Sequence, residues 1–492
     1  MTPADGIVAN VRLTLLVLLK ERALFMRLAK FTVVVSVSAL ALSAGACSSS
    51  GSSSSDSSRG ADAKTISLSI ASNAIAGGKN DQEAKWITDY VIPTFTKAMK
   101  AKGVTATVKF QPSGVDDEKY KAKVSLDLKT RSGADVVALD GIWVGEFAQA
   151  GYIQPLDKVV GPPAASWEGW SQIPKPVQAN TSFEGKAYGI PTGTDGRVLY
   201  YNKKLFAQAG LPTDWAPKSW ADILAAGTAL KKLPGIDPLQ INAGTAMGEA
   251  TTMQGVLPLL AGTGAQIYTD GKWQGNTQQV RDVLSFYRDI YSAGLGNTAF
   301  QQAAKGRDES FAAFAAGKVG VLLEGDYFWR SILNPKGGDA PMASRDTDVG
   351  YALIPAQKPG SGIRGQDDVS MSGGSGYFLN PSTKFPAQAW ELLTVMSSPD
   401  ALKVLLNGAA RITARTDVNK EVLAADPMLS LVSEKVLPLT AYRPGEAVYP
   451  QVSAALQQAT ADIVSGKSPA DAAAAYQKAL EKAVGADKVS AS

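Results

Sequence analysis

From Thr65 the chain reads TISLSIAS (65–72), then, after a helical interval, VTATVKF (104–110), and after a second one ADVVALD (134–140). Each segment has strand length, and the first alternates apolar with small polar residues, the period of a half-buried strand. Between them, residues 82–102 place Trp86, Tyr90, Phe95 and Met99 near one helical face, with Pro93 expected to kink the helix and Gly103 to end it. Residues 116–130 read as a second helix. The order is therefore β-α-β-α-β, which predicts a mostly parallel sheet covered by helices, with ligands bound beyond the carboxyl ends of its strands.

Outward from this unit, a second alternating set begins after Gly189: a strand at 197–201, helices at 219–232, 277–293 and 309–316, and the strand KVGVLLEG from Lys318. Later come a strand GYFLN from Gly376 and helices at 386–397, 451–465 and 469–484. No internal repeat of solenoid length is present. A chain of 492 residues has room for two or three lobes, and two α/β lobes account for these elements.

Composition narrows the chemistry. The chain has no His and a single Cys, so imidazole bases, Cys-His nucleophiles, His-ligated metals and intrachain disulfides are excluded. Its formal charge is +4, without the concentrated basic face that nucleic acid demands.

The N-terminal region explains both the Cys and most of that charge. Arg27 and Lys30 precede the apolar run FTVVVSVSALAL (31–42), and SAGA leads into Cys47. A run this short does not span a bilayer, and the pattern is that of an export signal, residues 1–46, of which 1–25 are read as an untranslated extension before Met26. Cys47 after Ala44, Gly45 and Ala46 resembles a bacterial lipobox, in which the cysteine becomes the lipidated N-terminus. Nine of the eleven residues at 48–58 are Ser, a composition suited to a tether and unable to pack a core, so 47–63 reads as a lipid-anchored linker. Without residues 1–46, 44 basic and 43 acidic side chains remain.

Several motifs carry no chemistry when weighed in context. GSGIRG (360–365) matches G-x-G-x-x-G but follows Pro359 and precedes Gln366, Asp367 and Asp368, so it reads as a surface loop rather than a dinucleotide site. GKS (466–468) reads as the end of one helix beside the Pro-started beginning of the next. Asp116, Asp117 and Glu118 read as acids favoured at a helix N-terminus. Tyr200 and Tyr201 could be phenolate ligands, but strand alternation sends them to opposite faces. No cofactor or metal site emerges.

What survives is a set of aromatics beside polar planar groups just past strands. Asp140 and Trp143 stand in ALDGIW, Asp195 in GIPTGTDG, and Asp326, Tyr327 and Trp329 in LEGDYFW. Sugars call for this combination: a ring face packs on the apolar side of a pyranose while vicinal hydroxyls bind carboxylates, amides or guanidiniums.

The segment GKAYGIPTGTDGRVLYYNKKLFAQAGL (185–211), followed by PKSWADIL (217–224), resembles the family of extracellular solute-binding proteins that serve ATP-driven importers, in particular its carbohydrate-binding branch akin to maltose-binding protein. FAAFAAGKVGVLLEGDYFW, VGYALIPA, SGGSGYFLNPSTK, AQAWELLTVM and GKSPADA follow in the order expected of that family. The resemblance implies a two-lobed periplasmic-binding-protein fold (type II), with a hinge that the chain crosses near Ile190, near Val369 and at 411–415. The first lobe would comprise 64–190 and 369–411, the second 191–368 and 412–492. It places the ligand on Asn73, Asp140, Trp143, Asp195, the Asp326, Tyr327 and Trp329 stretch, Gly373 and Gly374, with Arg411 and Arg415 near the last crossing. Tyr200, Trp220 and Trp390 are expected in the core. The implied protein is not an enzyme: a monomer on the outer face of the cytoplasmic membrane, it captures a sugar or oligosaccharide and delivers it to a permease. The alternatives are a polyamine, anion or peptide as solute, or a secreted glycoside-acting enzyme using two carboxylates.

Overall fold

Two β-sheets, each flanked by helices, organise the chain. The computed structural model describes residues 60–490, Asp116 apart; the export signal, Cys47 and the Ser-rich stretch 48–58 lie outside the described residues. The chain lays down β1 (Thr65–Ser72), β2 (Thr105–Pro112), β3 (Val136–Asp140) and β4 (Gly189–Thr194), then β5 (Arg197–Asn202), β6 (Asp237–Gln240), β7 (Val319–Gly325) and β8 (Val349–Ala352), and last β9 (Asp368–Ser372), β10 (Gly374–Leu379) and β11 (Thr440–Tyr442).

The first sheet has the order β2-β1-β3-β10-β4. β1 is parallel to β2 and β3, while β10 returns antiparallel between β3 and β4. The second sheet has the order β8-β5-β7-β6, with β7 parallel to β6 and antiparallel to β5. β9 pairs in parallel with β11 in a small third sheet beside the passage between the two. The alternation legible in the sequence thus becomes two lobes of parallel-rich sheet.

The chain leaves the first sheet for the second at Asp195 and Gly196, between β4 and β5, and re-enters the first from β9 of the small third sheet at Gly373, before β10. The residues near which crossings were expected, Ile190 and Val369, lie inside β4 and β9, a few residues before these points. The 412–414 segment runs against β4: Thr413 bridges Gly193, and the Ala414 N–H donates to the Thr192 carbonyl at 3.1 Å.

The core is continuous through the passage. Ile66, Leu68, Trp86 and Phe95 on one face of the first sheet join Tyr200, Leu322 and Phe328 on one face of the second in a single buried cluster. Tyr120, Val124, Phe147 and Phe378 fill the other face of the first sheet. Tyr201, Trp220, Tyr287 and Tyr449 belong to the cluster on the other face of the second, so adjacent Tyr200 and Tyr201 point to opposite sides as alternation requires. Trp220 and Trp390 are buried as expected. The helix read across 82–102 is widened at Ile87–Val91 into a π turn immediately before Pro93.

Candidate functional site

The carboxyl ends of β1 and β3, the turn between β4 and β5, and the end of β7 supply the polar residues that flank the passage between the sheets. Asp140 closes β3. Its Oδ1 accepts from the Ile142 N–H at 3.0 Å, capping the turn Gly141–Trp143, and it has no ion-pair partner among the described residues. Burial pushes its carboxyl above the ordinary value, an effect only partly countered by Arg443. Such a carboxylate gains from hydroxyl donors brought by a ligand.

Asp195 sits at the turn itself. It accepts from Arg197 Nη1 and from the Gly373 N–H at 2.6 Å. Burial opposes ionisation, but the Arg197 charge and the Gly373 N–H outweigh it and hold the carboxyl below its usual value. Arg197 is itself fixed: its Nε donates to Gln254 at 2.7 Å and its Nη1 to the Met371 carbonyl at 3.2 Å. Gly373 forms a floor between these groups, since a Cβ placed there would lie 3.7 Å from the Asp195 carboxylate and 3.8 Å from Arg443 Nη2. Gly374 is required for another reason. Its φ is +151°, and a Cβ would come within 2.3 Å of the Gly193 carbonyl.

Asn73, just past β1, is 7% exposed; its Nδ2 donates to the Val115 carbonyl and to Asp117, both at 3.0 Å, while its Oδ1 is buried without a partner. Val115 and Ile75 beside it are exposed apolar side chains on the loops that follow β1 and β2.

The LEGDYFW segment divides its residues between two tasks. Asp326 is 1% exposed and holds the turn from β4 to β5 by exchanging bonds with Gly196, accepting from its N–H at 3.2 Å and donating to its carbonyl at 2.9 Å. Its other oxygen accepts from Arg330 Nε at 2.9 Å, and burial raises its pKa despite that partner. Trp329 is 4% exposed, with its indole N–H on Asp426 at 3.1 Å and its ring covered by the Arg345 guanidinium at 4.0 Å. Tyr327 is 37% exposed, with the Arg330 guanidinium 5.8 Å from its ring centre. Of the rings singled out in the sequence, Tyr327 is the accessible one. Trp143 packs against Tyr120 in the core, 6.4 Å between ring centres.

Arg411 is exposed, and its guanidinium has no hydrogen-bonded partner among the described residues; burial of its head and the nearby charge of Arg330 lower its pKa. Arg415, in contrast, is engaged by Asp417 at 3.0 and 2.5 Å and serves the local fold.

Three groups were missed in the sequence. Arg443, immediately after β11, reaches Glu249 at 3.2 Å, and Glu249 also accepts from Tyr449 at 2.7 Å. Asn180, buried with an unpartnered Nδ2, occupies the space that a side chain at Gly141 would fill. Glu83 accepts from Tyr377 and Ser72, both at 2.5 Å. Arg443 stands six residues before the helix Tyr449–Val464, and the three-residue strand that delivers it has no readable period. A separate groove of about 420 Å³ runs along β11 between Phe183 and Tyr268, sharing Tyr442 and Arg443 with the polar cluster.

A family model described as "Bacterial extracellular solute-binding protein" matches residues 79–403, about two thirds of the chain. The chain belongs to that family. Among its solute-binding relatives, the diacetylchitobiose-binding protein of Streptomyces coelicolor is 23% identical over 452 residues, covering 83% of this chain and 94% of its own. A binding protein of Brucella abortus is 24% identical over 341 residues, 69% of this chain and 74% of its own. The sugar-binding protein MalE of Xanthomonas citri superposes with a TM-score of 0.67 at 18% identity, over 85% of this chain and 97% of that one. The cyclic α-maltosyl-1,6-maltose-binding protein of Arthrobacter globiformis gives 0.66 at 19% identity, over 86% and 99%. The two-lobed solute-binding fold, with a hinge crossed more than once, is thereby established for this chain, and family and fold are those of binding proteins rather than enzymes.

Proposed function

We propose that the protein is the extracytoplasmic substrate-binding lipoprotein of an ABC sugar importer, holding a sugar or oligosaccharide between its lobes and delivering it to the membrane permease. The observation that carries this reading is one accessible aromatic ring, Tyr327, whose neighbour Arg330 bonds the Asp326 that ties the end of β7 to the turn between β4 and β5. The ring supplies the apolar platform; Asp140, Asp195, Arg411 and Arg443 supply planar groups for hydroxyls, and Asn73 offers an unmatched acceptor. The sugar-binding names of the relatives support the same solute class.

Glu83, Glu249, Asp195 and Asp326 are each matched by a hydroxyl or a guanidinium. Closure follows from thermodynamics: contacts drawn from both lobes exist together only when the lobes approach, so a ligand favours that state by its differential affinity. The lipid anchor at Cys47, a monomeric state and the outer face of the cytoplasmic membrane belong to this reading and rest on the sequence.

A thermal-shift screen over mono- and oligosaccharides tests it. A sugar that binds the folded state raises Tm with concentration. Recovery of shortened glycans instead would identify the glycoside-acting enzyme.

A further inference from the structure

The end of the first lobe opposite the candidate site is basic, and the described chain begins there. β1, β2 and β3 run parallel, so the residues before them lie together: the Lys64 carbonyl accepts from Thr105 N–H at 2.8 Å, and Asn380, past β10, donates to the Asp135 carbonyl at 2.9 Å. Lys64, Lys100, Lys102, Lys129, Arg131 and Lys384 are all exposed on the turns and helix ends of this region. Among the described residues, Lys102 alone of these has an ion-pair partner, Glu391 at 2.7 Å. A groove of about 790 Å³ opens beside them, its walls including Lys129, Arg131, Lys158, Tyr152, Asn380 and Ser382, and no Asp or Glu lines it. The local acids do not neutralise this face: Asp135 is engaged by Ser69 at 2.8 Å and Thr383 at 2.6 Å, and Asp157, next to Lys158 in sequence, does not line the groove. Asp62 and Asp157 are exposed here, while Asp127 is paired with Lys123 at 2.6 Å and Glu391 with Lys102, so among the described residues the unpaired cations outnumber the unpaired acids.

The first described residues are fastened to the same end. Gln388 Nε2 donates to the carbonyls of Gly60 and Ala61 at 3.1 and 3.2 Å, and Gly60 adjoins Phe385. Residues 48–59, which separate Cys47 from Gly60, can reach no more than about 47 Å when fully extended.

We propose that this basic end docks on the anionic phospholipid headgroups of the membrane holding the anchor, so that the cleft faces away from the bilayer while the receptor waits for solute. The proposal rests on the reading of Cys47 as the lipid anchor: the anchor limits distance, and clustered cations facing anionic lipid set orientation.

The test uses the full lipidated chain carrying a single reporter, Ser132→Cys on the basic end or Val115→Cys on the cleft rim, each labelled with a fluorophore. It is bound to vesicles of phosphatidylcholine, alone or mixed with phosphatidylglycerol, that contain a headgroup quencher. Quenching at position 132 that requires phosphatidylglycerol, is lost in high salt, and is lost when Lys129, Arg131, Lys158 and Lys384 are all changed to Glu supports the proposal, provided that variant keeps its Tm. If it does not fold, the salt and lipid dependence of the unreversed chain decides. Equal quenching on both vesicles, or stronger quenching at position 115, overturns it. Failure to float with neutral vesicles overturns the anchor reading instead, and the phosphatidylglycerol dependence at position 132 still decides the docking.

Discussion

At the scale of single residues, exposure and partners separate ligand-facing groups from those that hold the frame. Tyr327 and Trp329 stand two positions apart, yet one ring is open and the other is covered by Arg345 and bonded to Asp426. Tyr327→Ala is expected to weaken sugar binding by about 1–3 kcal/mol with little change in Tm, as truncation of an interface anchor does. Trp329→Ala is expected to do the reverse, costing about 3–5 kcal/mol of stability, as large-to-small core changes do. Calorimetric titration and thermal melts on the two variants check both.

The carboxylates divide in the same way. Asp195 has a lowered pKa, so its contribution to stability is present above the unfolded carboxylate range and is lost as pH falls through its folded pKa. Asp195→Ala leaves Arg197 buried without its counter-ion, a loss of about 3–5 kcal/mol, whereas Asp195→Asn keeps an acceptor for Gly373 and should cost less; the pH dependence of Tm for the three proteins is the measurement. Asp140 has the opposite shift, and its burial penalty on the charged form is relieved as pH falls. Asp140→Asn should therefore leave Tm unchanged or raised near neutral pH while weakening the ligand.

At the scale of elements, what the sequence disclosed depended on length and period. β1 and β7 were legible because apolar residues fill strand-length runs between helical patterns. β9 and β11 were not: each is short, fully or nearly buried, and stabilised by pairing with a strand tens of residues away. Without them Arg443 was overlooked. Asp140 was legible because it ends a readable strand, and Asp195 because it stands in GIPTGTDG, within the segment that resembles the family.

Two element-level predictions follow from how the passage is built. Gly373 has an ordinary φ, and a Cβ there would meet its neighbours at normal contact distance, so Gly373→Val should fold but fill the space between Asp195 and Arg443 and abolish binding. Asn202 caps the helix after β5 by accepting from the N–H groups of Lys204 and Leu205 at 3.0 and 3.1 Å. Asn202→Ala is expected to cost about 1 kcal/mol, visible as a small drop in Tm with ligand affinity unchanged, because the cap lies at the other end of β5 from Arg197.

At the scale of the whole molecule, family and fold are those of binding proteins, and the chain has no His to serve as an imidazole base. Its two sheets share one buried cluster through the passage, so movement of the lobes must be a rotation that preserves this packing rather than a separation of independent bodies. Binding of sugar is expected to reduce the radius of gyration measured by small-angle scattering, and Gly373→Val should show no such change. Among the described residues no helix is long and apolar enough to cross a membrane.

The central claim, a sugar held between the lobes with Tyr327 as its platform, is tested most directly by calorimetric titration of the stabilising saccharide from the screen onto the wild type and onto Tyr327→Ala. The account predicts one saccharide bound per chain, recovered intact, with affinity reduced about tenfold or more in the variant. A panel of mono- and oligosaccharides that gives no heat, or a variant that binds as tightly as the wild type, would contradict it.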